Sequence, residues 1–147
     1  MAKLEAPVDD GRCVGCGPLS ECGLKMTFER GDDGLVTSHV VVPPAFQGWR
    51  GVVHGGVVAL VLDEAMAYAA GARGAIGVTA EMKLRFRGSV PTGEPLVVSG
   101  KVLWQRRNVL GVEASVRDEH GTLLASATGS FVQRATLEPG ATFAQLR

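Results

Sequence analysis

The stretch from His54 to Ala70, HGGVVALVLDEAMAYAA, constrains this chain more than any other. From Gly55 to Ala70 its polar side chains are Asp63, Glu64 and Tyr68, and it contains no proline. Its length and its alanine and leucine content favour a helix over a strand, despite the valines. Apart from the two acids it is apolar on every side, the pattern of a helix packed inside a fold rather than lying on a surface. Two adjacent carboxylates in such a segment require compensation. An unpaired buried carboxylate costs several kcal/mol unless it is paired or takes up a proton.

The spacing of the polar groups suggests how the cost is met. His54-Gly55-Gly56 stands where a loop meets the helix, so it offers unpaired N–H groups at the positive end of the macrodipole. Glycine there lets a ligand approach the backbone, a place to polarise a carbonyl or hold an oxyanion. The same residues could serve only as a tight turn and a cap. Asp63 returns to within about 20° of the face of Gly56, but ~10 Å further along the axis. It cannot reach a small group held at its own helix N-terminus. Two such helices, antiparallel across a two-fold axis, would bring Asp63 of one beside His54–Gly56 of the other. The acid would then face an interface cleft in a homodimer with two shared sites. Glu64, rotated by about 100°, is expected to pair with an arginine or reach the cleft rim, and Tyr68 to pack with its hydroxyl satisfied.

Around this helix the chain reads as strands. Residues 1–22, rich in Gly, Pro, Cys and Asp, form a lead-in. Gly23–Arg30 alternates and is expected to be a strand, with a turn at Gly31–Gly34 and a second strand ended by Pro43. After the helix, strands are expected at Val78–Phe86, 95–105, 109–119 and 122–133, with a loose tail over 135–147. No repeated βαβ units occur. The chain is therefore read as one α+β domain over residues 23–134, a curved antiparallel sheet wrapped around one long central helix. Fifteen basic and fifteen acidic residues give zero formal net charge. No whole-protein field attracts nucleic acid or an anionic membrane, so neither is expected as a partner. The N-terminal residues show no secretory h-region, and three cysteines are an odd number. The expected location is the reducing cytoplasm. Cys13-x-x-Cys16 with Cys22 invites a metal reading, but a closed site needs four ligands. His39 and His120 are distant in sequence, so no metal is expected.

His54-Gly55-Gly56 followed by Asp63 resembles the motif of hotdog-fold acyl-CoA thioesterases of the phenylacetyl-CoA (PaaI) type. CVGCGPLSECGLKMTF, VTAEMKLRFRGSVPTGEPLVVSGKV and DEHGTLLASATGSFVQ resemble further segments of that family, in order, from Cys13 to Gln133. The resemblance implies hydrolysis of an acyl-CoA thioester, with coenzyme A as part of the substrate and no other cofactor. It implies Asp63 as base or nucleophile, Gly55 or Gly56 as carbonyl donor, His54 as the residue orienting that loop, and Thr79 as an assistant. Many members carry Asn or Gln about six residues before the histidine. Here Gly48 stands there, with Gln47 beside it as a substitute. Coenzyme A phosphates call for cations, and Arg106, Arg107 and Asn108 at a turn, with Arg85, are the candidates. Phe46, Trp49, Val53 and Tyr68 are candidates for an acyl pocket and equally for the core. The absence of GxSxG argues against an α/β-hydrolase. The implied assembly is a homodimer or a dimer of dimers. A non-catalytic acyl-CoA sensor and a hotdog dehydratase or hydratase are the alternatives.

Overall fold

The computed structural model describes residues 7–138. Positions 1–6 of the lead-in and 139–147 of the expected tail lie outside them. The chain runs through β1 (Glu29–Arg30), β2 (Val36–Val41), a 3-10 turn at Pro44–Phe46, α1 (Gly55–Ala72), β3 (Ala75–Phe86), β4 (Pro95–Arg106), β5 (Val109–Asp118) and β6 (Leu123–Thr136). The six strands form one antiparallel sheet in the order β1-β2-β4-β5-β6-β3. The α+β architecture expected from the sequence is present, with one long helix against one sheet.

Two boundaries differ from expectation for identifiable reasons. The strand expected over Gly23–Arg30 is reduced to β1. Leu24 N–H donates to Val14 O and Met26 N–H to Gly15 O, both at 2.9 Å, and Lys25 sits at φ 49. The backbone there is engaged by the cysteine-containing loop instead of a sheet neighbour, while Met26 and Phe28 still point into the core. At the other end, β3 begins at Ala75 and β6 runs on to Thr136, because Ala75 pairs with Thr136 and Ile76 with Ala135. Ordered backbone therefore extends past Arg134 into the expected tail, where Leu137 N–H donates to Gly74 O.

Helix α1 lies on one face of the sheet. Val58, Val61, Leu62, Ala65, Met66, Tyr68, Ala69 and Ala70 are buried. The ring of Tyr68 stacks on Phe28 with centroids 4.3 Å apart. The helix comes so close to β4 that a side chain at Gly100 would run into the carbonyl of Ala65. This contact sets the rotation of the helix about its axis, and the rotation leaves one stripe open. Gly56 is exposed, and Leu60, Asp63 and Ala67 are half-buried. The helix is thus not enclosed on every side, and Asp63 lies on the open stripe rather than within the core. Length and mean hydropathy, 18 residues at 1.3, would also suit a membrane span, but half of the helix is buried against this sheet.

The contact at Gly100 has a measurable consequence. Gly100→Ala is expected to cost about 1–3 kcal/mol, as overpacking does in well-filled cores. Urea denaturation at an unchanged m-value would check it.

Candidate active site

The N-terminus of α1 is capped by the residue preceding it. His54 Nδ1 accepts the N–H of Gly56 at 2.9 Å, which puts the ring hydrogen on Nε2. Val57 and Val58 N–H both donate to His54 O. Among the described residues the N–H of Gly55 has no protein partner, and Gly55 is exposed. The two glycines are therefore unequal. Gly56 is consumed by the cap, and Gly55 is the one whose amide can polarise an incoming oxygen.

Asp63 lies eight residues beyond Gly55, ~12 Å further on by helical rise. Its Oδ1 accepts the hydroxyl of Thr79 at 2.7 Å. That bond depends on an irregularity in β3. Thr79 pairs with Phe131, whose ring is buried, so the two side chains share the helix side of the sheet. The register then shifts between Thr79 and Glu81, and Glu81 pairs with Ser130. The bulge at Ala80 lets both Thr79 and Met82 face the helix, which regular alternation would forbid.

The remaining candidates are distributed differently. Gln47 Oε1 accepts the N–H of Gly51 at 3.2 Å, so its carbonyl oxygen is committed to its own loop. A side chain at Gly48 would press on His54, with Cα 3.2 Å away. Trp49 is 85% exposed, and Phe46 packs against the edge of the core. Neither lines the cavity beside the helix, whereas Tyr68 does, and Val53 is buried in the core. That cavity, of about 770 Å3, is walled by Ala67, Tyr68, Ile76 and Gly77 and closed by residues of the lead-in and by Leu137. Arg106, Arg107 and Asn108 form the exposed β4–β5 turn. Val109 pairs with Val132, and Val132 with Val78, so the turn lies about 10 Å, two strand spacings, across the sheet from Thr79's neighbour. Arg85 lies elsewhere, on the sheet face away from the helix. It lines a groove of about 440 Å3 with Lys83, Arg87, Lys101 and Arg117.

Glu64, expected either to pair with an arginine or to reach the cleft rim, lines the cavity beside Ala67 and Tyr68. Among the described residues it has no arginine partner. Its Oε1 accepts the thiol of Cys13 at 2.7 Å. Burial pushes its carboxyl pKa up, and hydrogen bonds from Cys13 and Cys16 pull it partly back. Cys16 is likewise pushed up, chiefly by burial. Asp63 and Glu64, adjacent in sequence, thus serve two separate places: the open stripe and the lead-in.

Residues 50–125 match the protein family described as the thioesterase superfamily. The chain belongs to that superfamily. Its fold is that of a thioesterase superfamily protein of known crystal structure, at TM-score 0.76 and 32% identity, covering 79% of this chain and 60% of that one. A protein of Saccharolobus solfataricus named "Putative esterase SSO1253" is 34% identical over 84 residues, 56% of this chain and 55% of its own length. The chain thus spans little more than half of this curated relative. The smu.793 protein of Streptococcus mutans, solved bound to acetyl CoA, shares the fold at TM-score 0.71 and 18% identity, covering 77% of this chain and 91% of that one. The family match includes the helix N-terminus, Asp63 and Thr79, and it confirms the hotdog fold expected from the sequence.

The cap makes its own prediction. His54→Ala removes the acceptor for Gly56 N–H and is expected to lower stability by about 1 kcal/mol. Thermal unfolding would show a modest fall in Tm without loss of the folded state.

Proposed function

We propose that this chain is an acyl-CoA thioesterase acting as a homodimer, with each active site shared between two subunits. The observation that carries the reading is the Asp63–Thr79 hydrogen bond on the open stripe of a helix whose other end presents the free Gly55 amide. Within one protomer these groups stand too far apart for one carbonyl. An antiparallel partner helix brings them together.

The second edge of the sheet supports this assembly. β3 is a long edge strand, exposed from Val78 to Glu81. An uncovered edge of that length is a template for pairing. A partner's β3 joined there in antiparallel register would continue the sheet and cover the stripe from Gly56 to Ala67. The three cysteines are all free, in keeping with a cytoplasmic setting.

The chemistry follows from the groups present. The thioester carbonyl oxygen accepts the N–H of the partner subunit's Gly55, at the positive end of its helix. Asp63, held in one orientation by the Thr79 hydroxyl, takes a proton from the attacking water or attacks the carbonyl itself. The tetrahedral intermediate collapses with coenzyme A thiolate as the leaving group; attack by water gives the free acid directly, and attack by Asp63 gives a mixed anhydride that water then hydrolyses to the free acid and the Asp63 carboxylate. The cavity beside Ala67, Tyr68, Ile76 and Gly77 receives the acyl or aryl group. Arg106 and Arg107, at the same end of the sheet, receive the coenzyme A phosphates. The acetyl CoA held by the Streptococcus mutans relative is in keeping with a coenzyme A ester as substrate.

Thiol release from short, aromatic and long acyl-CoA thioesters tests the activity. Asp63→Asn is expected to lower kcat by about 10²–10³-fold or more, with circular dichroism unchanged. Gly55→Pro removes the proposed donor while suiting the first helical position, because His54 before it is already extended at φ -55, ψ 136. It should be equally inactive. Co-refolding the two inactive variants should restore about a quarter of wild-type activity, since mixed dimers hold one intact site. Retained turnover in Asp63→Asn, or no recovery in mixed dimers, overturns the shared site.

A further inference from the structure

The lead-in contains a second constellation that the thioesterase reading does not use. Cys13 and Cys16 stand at either end of a tight loop, CVGCG. In it Gly15 N–H donates to Cys13 Sγ at 3.4 Å and Gly17 N–H to Cys13 O at 2.8 Å. An N–H aimed at a sulfur two residues earlier favours its thiolate form. The loop is tied down from outside by Leu24 and Met26, whose N–H groups bond the carbonyls of Val14 and Gly15. Glu64 enters from α1. It passes so close to Gly15 that any side chain there would strike it, so glycine is required for this approach.

The two sulfurs and a carboxylate oxygen of Glu64 all lie within 4.8 Å of one another. Around a tetrahedral zinc ion with bonds of about 2.3 Å, ligand atoms stand about 3.8 Å apart, so an ion entering here would replace the 2.7 Å Cys13–Glu64 hydrogen bond and part those two groups by about 1 Å. Cys16 is buried, and Cys13 and Glu64 are half-buried. Among the described residues no Lys or Arg forms an ion pair with Glu64. The cavity that Cys13, Cys16 and Glu64 line is also lined by Asp9, Asp10 and Arg12, two acids against one base.

We propose that Cys13, Cys16 and Glu64 bind a thiophilic divalent cation of the zinc type. The site ties the lead-in to the middle of α1 and has its fourth position turned to water in the cavity. Two thiolates and one carboxylate form a borderline-soft donor set that suits zinc over magnesium or calcium. On binding, the two thiol protons pass to solvent, along with any proton on Glu64, and no change of oxidation state occurs. The site does not use Asp63, which lies on another face of the helix, but its three residues form part of the wall of the cavity proposed above for the acyl group.

Cobalt titration of the full-length, reduced and demetallated protein tests this. One Co2+ per chain should bind with a sulfur-to-cobalt charge-transfer band, displaced by one equivalent of Zn2+. Cys13→Ser and Cys16→Ser should each abolish the band. Glu64→Gln should weaken affinity by about 10–100-fold, at least the effect of losing a supporting partner in known sites. Cys22→Ser should change nothing. Absence of the band in the wild-type protein, its persistence in either cysteine variant, unaltered affinity in Glu64→Gln, or a Cys13–Cys16 disulfide in protein purified without oxygen would each overturn the proposal. The wild-type titration decides even where a variant folds poorly.

Discussion

The close approach of α1 to β4 at Gly100 governs the rest of the molecule. With no side chain at that position, the Ala65 carbonyl sits almost on the strand. This seats Leu62, Ala65, Met66 and Ala69 against the sheet. Once those residues face inward, the helical period leaves Gly56, Leu60, Asp63 and Ala67 on the opposite flank. The position of the catalytic candidate is thus a consequence of packing. Asp63 keeps access to water because the tightest contact of the core is on the other side of the helix. The cost of a carboxylate in an apolar segment is met by leaving it half-exposed and hydrogen-bonded to Thr79, not by burying an ion pair.

The same rotation sends Glu64 in another direction, under the cysteine loop. The adjacent acids therefore solve the burial problem in two ways. Asp63 stays at the surface with a hydroxyl donor. Glu64 goes into a partly desolvated place where two thiols surround it and burial raises its pKa. Tyr68, one turn beyond Glu64, stacks on Phe28 and closes the cavity between the lead-in and the helix. The lead-in is thereby a wall of the molecule, joined to it through residues 24–26, which would otherwise have lengthened β1.

The helix, the number of long strands and their antiparallel arrangement were legible because each rests on local periodicity or turn chemistry. The Gly56–Asp63 relation was legible because seven residues make nearly two turns. The role of Thr79 could be reached only through family resemblance. Its alternation with Glu81 and Lys83 places it on the outer face of the sheet, and only the bulge at Ala80 reverses that. No local signal marks the bulge, since it follows from the register of β6 against β3. The partner of Glu64 was equally hidden. Cys13 is 51 residues away in sequence, and an arginine is the ordinary guess for a carboxylate. Phe46 and Trp49, expected at the acyl pocket, lie away from the cavity beside α1 for a related reason. Aromatic character marks apolar surface, but not which side of a loop meets the cavity.

By itself the sequence determined the elements and the chemistry within reach of each one: a capped helix with a free glycine amide, an acid two turns on, and strands that pair with their neighbours. These depend on interactions within a few residues, where spacing and side-chain type suffice. Tertiary structure alone decided the rotation of α1, the bulge that turns Thr79 to Asp63, and the meeting of Cys13, Cys16 and Glu64. Each of these joins segments far apart in the chain. Their geometry is set by close packing of backbone and side chains, where a single missing Cβ, at Gly100 or at Gly15, decides what can touch.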